Sequence, residues 1–324
     1  MDSNSLEDNN FINLLQKYKL KFLTQDLTAG LSVAAIALPQ NMAYALIVGV
    51  SPIYGIYTSI VSMIIATLVS KTRYVVVGPT NMLAMAIASN LSSISNENYL
   101  SVIFLLTFLV GLFQFLLGVF KLGDLVTYVS HPVIIGLSTG AALLIGAGQL
   151  QNFLGLSLDG GINFFTEVYA VLTNLEGVNG LTVALGLFTI LMIVVLDKIK
   201  SELPNYLLAL VISTIVVYIF NLETTLKTVG TLPKSLLNIS LFSFDISLMR
   251  NLASESLSIA LLGLIQTVAV LKSLGHKSEQ EREVNREFIS QGIINLSSSF
   301  FSCFASAPSF TNSFANYQAG AKTR

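Results

Sequence analysis

Two stretches decide how this chain is read: YVVVGPTNMLAMAIASN at residues 74–90 and SFFSCFASAPSFTNSFANYQAG at residues 299–320. Each passes from apolar residues through a small residue and a proline, Gly78-Pro79 in one and Ala307-Pro308 in the other. Each then opens a short helical segment on hydroxyl and amide side chains, Thr80 and Asn81 in the first, Ser309, Thr311 and Asn312 in the second. Pro79 also lies as far beyond Asp26 as Pro308 lies beyond Glu255. The echo reads either as a repeated unit or as two ordinary helix starts marked by proline.

The rest of the sequence sets the medium in which this echo operates. Of 324 residues, 53% are hydrophobic and 11% charged, whereas a soluble domain carries roughly 25% charged residues. Mean hydropathy is +0.73. No charged residue occurs in 27–70, 74–96 or 99–120. About 20 apolar residues in helix cross a hydrocarbon core about 30 Å thick, so these intervals hold one or two crossings each. A membrane β-barrel would show alternating segments of about 10 residues, and the chain has none. The composition therefore predicts an all-α polytopic membrane protein.

Helix candidates run over 27–49, 53–70, 79–94, 99–120, 127–150, 179–197, 204–221, 252–273 and 285–303, and a tenth opens near 309. Pro52 and Pro132 sit at helix starts, where a missing N–H costs nothing. Pro39 lies inside the first span, where it kinks the helix or frees a carbonyl. Asp26 reads as an N-cap. Residues 151–178 are too polar to span, but their FFTEVYAVL portion suits an interfacial amphipathic helix. With a cytoplasmic N-terminus, twelve Lys and Arg fall in cytoplasmic segments and three (Lys227, Lys234, Arg250) in external ones, which obeys the positive-inside rule. That count requires 79–94 to be a short but genuine crossing. Residues 1–25 read as a cytoplasmic leader without the apolar core and cleavage site of a secretory signal.

A repeat of seven spans would superpose the first candidate on the eighth and the third on the tenth. Seven is odd, so the copies would be inverted, an arrangement used by secondary transporters with interrupted helices. A half-helix that begins at mid-membrane leaves its first N–H groups unpaired and its positive dipole end exposed. Hydroxyl and amide side chains there complete a cradle for an anion.

DLTAGLSVAAIALPQNMAYALIVGVSPIYGIYTSIV (26–61) and KTRYVVVGPTNMLAM (71–85) resemble the first three spans of the sulfate permease (SulP) family of anion transporters. HPVIIGLSTGAALLIGAGQLQNFLG (131–155) resembles its fifth span, and EVNREFISQGIINLSSSFFSCFASAPSFTNSFANYQAGAKT (283–323) its ninth and tenth. The resemblance covers residues 26–324. It implies a 7+7 inverted-repeat fold of fourteen spans divided into core and gate domains, usually followed by a cytoplasmic STAS domain. On that pattern 26–221 is the first repeat, 222–251 an external loop, and 252–324 the start of a second repeat truncated in its tenth span.

The resemblance also implies site residues. Gln40 and Tyr44 of the first span, Thr80 and Asn81 of the third, and Ser309, Phe310, Thr311 and Asn312 of the tenth would line the anion site. Spans 1, 3, 8 and 10 would belong to the moving core, and spans 5, 6 and 7 to the gate. The implied partners are a small inorganic anion, sulfate first with bicarbonate or chloride as alternatives, the lipid bilayer, and in the full-length protein a second copy as homodimer. The implied location is the plasma membrane, multi-pass. Three departures stand out. Asn312 occupies a position where many members carry arginine, and Pro308 replaces a glycine. Gln266 stands where many members carry an acidic residue linked to cation coupling. A neutral amide takes up no proton near neutral pH, which favours exchange or uncoupled flux.

Two other readings are weighed: a non-transporting fragment of such a transporter, and a nucleobase symporter of the same architecture. The symporter would need acids in spans eight and ten, where none is found. One cysteine (Cys303) and two histidines exclude a disulfide framework and a Cys- or His-based metal centre. No nucleophile–base pair lies within one span, so no enzyme activity is expected. The sequence calls for no cofactor, and a net charge of −1 gives no electrostatic case for nucleic acid.

Overall fold

The computed structural model describes residues 22–72, 74–91, 99–122, 149–156, 164–199, 205–222, 244–274 and 280–323, together with a few isolated positions. Its helices are α1 (Leu23–Val48), α2 (Pro52–Val69), α3 (Asn81–Leu91), α4 (Tyr99–Val119), α5 (Phe164–Thr173), α6 (Gly180–Ile199), α7 (Asn205–Ile219), α8 (Ile246–Ser273), α9 (Gln280–Ser298) and α10 (Phe310–Gln318). Two short strands, β1 (Val77–Gly78) and β2 (Ala307–Pro308), precede α3 and α10. The fifth candidate span, 127–150, lies almost wholly outside the described residues, as do His131, Pro132 and most of 222–243.

Five of the described helices, α1, α2, α4, α6 and α8, are long and apolar enough to cross a membrane. Pro52 occupies the first turn of α2 as its missing N–H requires. Pro39 lies within a continuous α1. Helix α1 ends at Gly49, whose φ of +85° places it in the left-handed region that glycine adopts without a Cβ penalty. Asp245 opens α8 ahead of the expected start at 252, its carboxylate accepting from the N–H of Ser247 and Leu248. The Ser247 hydroxyl and these two N–H groups hold the Asp245 carboxyl below its ordinary value of 3.8. Helix α5 turns Phe165, Tyr169 and Leu172 outward, as an interfacial helix would.

The segment expected to make the third crossing is built differently from an ordinary span. At about 1.5 Å per residue, an 11-residue α3 reaches only about half the hydrocarbon core. Non-helical residues ending in β1 precede it.

Asp26 does not cap a helix. Helix α1 begins upstream of it, at Leu23. The Asp26 carboxylate instead accepts from the backbone N–H of Lys322 (2.6 Å) and Thr323 (3.1 Å) and from the Thr323 hydroxyl (2.6 Å). It ties the start of α1 to the chain that leaves α10.

Helix α9 contradicts the rule that a buried membrane helix must be apolar all round. It carries Ser290, Gln291, Asn295 and Ser298, all buried, alongside Phe288 and Ile294. Other helices shield it, with α4 the most extensive neighbour. The two approach so closely that a Cβ on Gly111 would lie 2.5 Å from the Leu296 nitrogen, and one on Gly292 would lie 2.4 Å from the Phe115 nitrogen. Small residues at a helix crossing allow this backbone approach, and the polar side chains then find partners across it. The largest apolar cluster joins α1, α3, α4 and α8 through residues such as Val48, Leu83, Ile87, Leu106 and Ile259. Helices α6 and α7 pack on each other, and Thr189 and Ser213 hydroxyls meet between them at 2.7 Å.

Candidate anion site

Strands β1 and β2 pair antiparallel, Val77 opposite Pro308 and Gly78 opposite Ala307. The two sequence stretches that echo each other are therefore in contact. The antiparallel sense is what an inverted repeat produces, because each strand descends from the opposite face. The pairing extends on either side. Ser309 N–H donates to the Val76 carbonyl (2.9 Å), Val76 N–H donates to Ser313 Oγ (2.9 Å), and Asn316 Nδ2 donates to the Tyr74 carbonyl (3.3 Å).

The two half-helices start on matching caps. Thr80 Oγ1 accepts from the N–H of Leu83 (3.4 Å), and the Thr80 carbonyl accepts from Ala84 (2.9 Å). Ser309 Oγ accepts from the N–H of Asn312 (3.3 Å), and the Ser309 carbonyl accepts from Ser313 (3.0 Å). Each hydroxyl satisfies one of the N–H groups a helix start leaves unpaired. Both helices open immediately after the paired strands, so the positive end of each lies close to the β1–β2 pair.

The remaining sequence-derived residues fall around these caps. Gln266 of α8 accepts a hydrogen bond from Thr80 Oγ1 at 3.3 Å and is 6% exposed. Helix α1, which carries Gln40 and Tyr44, packs against both α3 and α10. Tyr44 is buried and Gln40 half-buried, and among the described residues no hydrogen bond joins Gln40 to the others. Asn81 and Phe310 are half-buried, Thr311 is exposed, and Asn312 is 3% exposed. Asn312 Oδ1 is buried without a hydrogen-bond partner, and so is Oδ1 of Asn41, next to Gln40. A cavity of about 270 Å³ runs from Phe310 and Thr311 along α10 to Val270 and Ser273 at the end of α8.

None of the described residues around these caps carries a fixed charge. Backbone N–H groups, two hydroxyls and carboxamides provide the polar chemistry, which suits a partly dehydrated anion held by dipoles. Among the described residues there is no group of three or more His, Cys, Asp or Glu able to hold a metal ion.

Sequence reading missed the layer behind the caps. Ser306, just ahead of β2, is held by Asn295 and Gln291 of α9, with Gln114 of α4 and Ser62 of α2 around them. The available signal was the pair Gln291 and Asn295, one helical turn apart on a segment that needed to be buried.

The fold is that of an inverted-repeat transporter with interrupted helices. The structure matches the transmembrane domain of the cyanobacterial bicarbonate transporter BicA with a TM-score of 0.73 and 26% identity, covering 95% of this chain and 80% of that one. That neighbour carries the 7+7 inverted repeat. The profile of the sulfate permease family matches residues 23–324, and the chain belongs to that family. It is 30% identical over 315 residues to "Probable sulfate transporter 4.2" of Arabidopsis thaliana, covering 94% of this chain and 46% of that protein. It is likewise 30% identical over 331 residues to "Sulfate transporter 2.1" of the same plant, covering 95% and 48%. The chain thus spans about half the length of the curated relatives it matches. Members of this family are transporters, not enzymes.

Proposed function

We propose that this chain provides the anion site of a secondary transporter for small inorganic anions, with sulfate first among them and bicarbonate and chloride as alternatives. The observation that carries this reading is the β1–β2 pairing, which sets two capped half-helix N-termini side by side. An anion between them would accept from the N–H groups that Thr80 and Ser309 leave unpaired, with Thr311, Asn312, Asn81 and Gln40 adding polar contacts and Tyr44 and Phe310 the apolar wall. Relatives and a solved neighbour bearing sulfate and bicarbonate in their names support this choice of substrates.

On this reading, residues 26–221 form the first repeat and 252–324 open the second. The site alternates between the two faces of a plasma membrane while the N-terminus stays cytoplasmic, and the full-length protein pairs as a homodimer. Gln266 stays neutral, so flux proceeds by exchange or without cation coupling. Radiolabelled sulfate uptake by the full-length protein tests the site. Gln40→Leu and Thr311→Leu should each lower uptake strongly at equal surface expression. Unchanged uptake in both variants sinks the assignment.

A further inference from the structure

Ser306 is fully buried immediately ahead of β2, and side chains hold it at every polar atom. Its N–H and its hydroxyl both donate to Asn295 Oδ1, each at 2.9 Å. Its carbonyl accepts from Gln291 Nε2 at 2.7 Å and from Asn295 Nδ2 at 3.0 Å. Its Oγ accepts from Ser62 Oγ at 3.0 Å. Asn295 is itself fixed, because Nδ2 also donates to Gln114 Oε1 at 2.8 Å. The node joins α2, α4 and α9 to the segment that leads into the α10 cap.

The other repeat does the same job with different chemistry. The offset that places Pro79 on Pro308 places Val77 on Ser306 and Ala66 on Asn295. Val77 and Ala66 share an apolar cluster with Val75, Val270 and Ile294. The contact is thus kept between repeats, while its polarity is reversed. An apolar seat is non-directional and tolerates a small slide of the strand. A clasp of five hydrogen bonds holds only within the narrow distances and angles such bonds allow. Inside a membrane protein no bulk water replaces a lost partner.

We propose that Asn295 is a positioning residue for the anion site. By gripping Ser306 through both its N–H and its carbonyl, in the two successive peptide units, it sets the depth and rotation of the α10 N-terminus, while the α3 N-terminus rests on a compliant seat. The proposal builds on the transporter reading above and concerns residues that do not themselves touch the anion.

Uptake of radiolabelled sulfate, chloride and bicarbonate by the full-length protein in liposomes tests it, with folded protein quantified by size-exclusion chromatography. Asn295→Ala should raise KM about tenfold, the scale on which a sub-ångström misplacement acts. In the same variant kcat per folded molecule should stay within about twofold. Phe288→Ala, fully buried on α9 in a separate apolar cluster with Leu264, Val268 and Val284, is the comparison. It should lower folded yield and leave KM unchanged. Ser306→Ala removes only the hydroxyl and folds more readily than Asn295→Ala. It should raise KM about threefold through the same misplacement. Wild-type KM in Asn295→Ala or Ser306→Ala, or an equal rise in Phe288→Ala, overturns the positioning role. Absence of uptake of all three anions, sulfate, chloride and bicarbonate, by the unmodified protein defeats the transporter reading, and the proposal falls with it.

Discussion

Thr80 Oγ1 donates to Gln266 Oε1 at 3.3 Å, joining the cap of α3 to the middle of α8. The same Thr80 oxygen accepts the Leu83 N–H, so its proton is directed to Gln266. That fixes the amide with its oxygen toward Thr80 and its two N–H donors turned away. Gln266 therefore sets a neutral amide, not a titratable acid, against the Thr80 cap.

A carboxyl at this position should install a pH dependence that the natural side chain lacks. In Gln266→Glu, the protonated acid at low pH keeps the neutral charge of the amide. As pH rises through its pKa the ionised group repels an anion held at the helix ends. Sulfate uptake by this variant should fall as pH rises over about pH 5 to 8, while the unmodified protein shows no such step. Parallel pH profiles for the two proteins would count against Gln266 facing the anion.

The Ser309 cap should contribute to stability and to binding together. Loss of an N-cap hydroxyl costs about 1 kcal/mol of helix stability, and here the freed N–H groups lie where the anion is proposed to sit. Ser309→Ala should lower the thermal midpoint and raise the KM for sulfate, with Ser309→Thr restoring both. A lower midpoint with an unaltered KM would detach the cap from the site.

The α4–α9 crossing admits no side chain at Gly292, where a Cβ would sit 2.4 Å from the Phe115 nitrogen. Overpacking of a tight interface costs about 1 to 3 kcal/mol, and a backbone contact cannot yield by rotamer change. Gly292→Leu should leave little monodisperse protein after detergent extraction, whereas Leu116→Ala, partly exposed to the surroundings, should leave the yield near normal. Equal recovery of both variants would show that the helices can separate at no cost.

Much of the architecture was legible because its causes are local. Charge-free intervals announced the crossings, and Pro52 marked the start of α2. Thr80 and Ser309 were identifiable as helix openings since small hydroxyl residues after a proline do that chemistry anywhere. The β-branched run, Gly78-Pro79 and the short helix that opens after Thr80 are legible in the same way, and they appear as β1 and α3. Asp26 was misread as a cap for a reason equally physical. An acidic residue before an apolar run suits a cap locally, but its partners, Lys322 and Thr323, lie at the other end of the chain.

The polar layer shows the same limit. Gln114 is undistinguished in sequence, and the spacing of Gln291 and Asn295 carries meaning only once α4 is seen lying against α9. By itself the sequence determined the membrane medium, the repeated strand-proline-cap unit and the chemistry of the two helix openings, since each follows from neighbouring residues. Only the tertiary structure decided that the two units pair as β1 and β2, that Thr80 turns Gln266, and that Asn295 grips Ser306. The first two join residues about two hundred positions apart, the third closes across a turn between α9 and β2, and the directions of all three come from backbone geometry that no local pattern encodes.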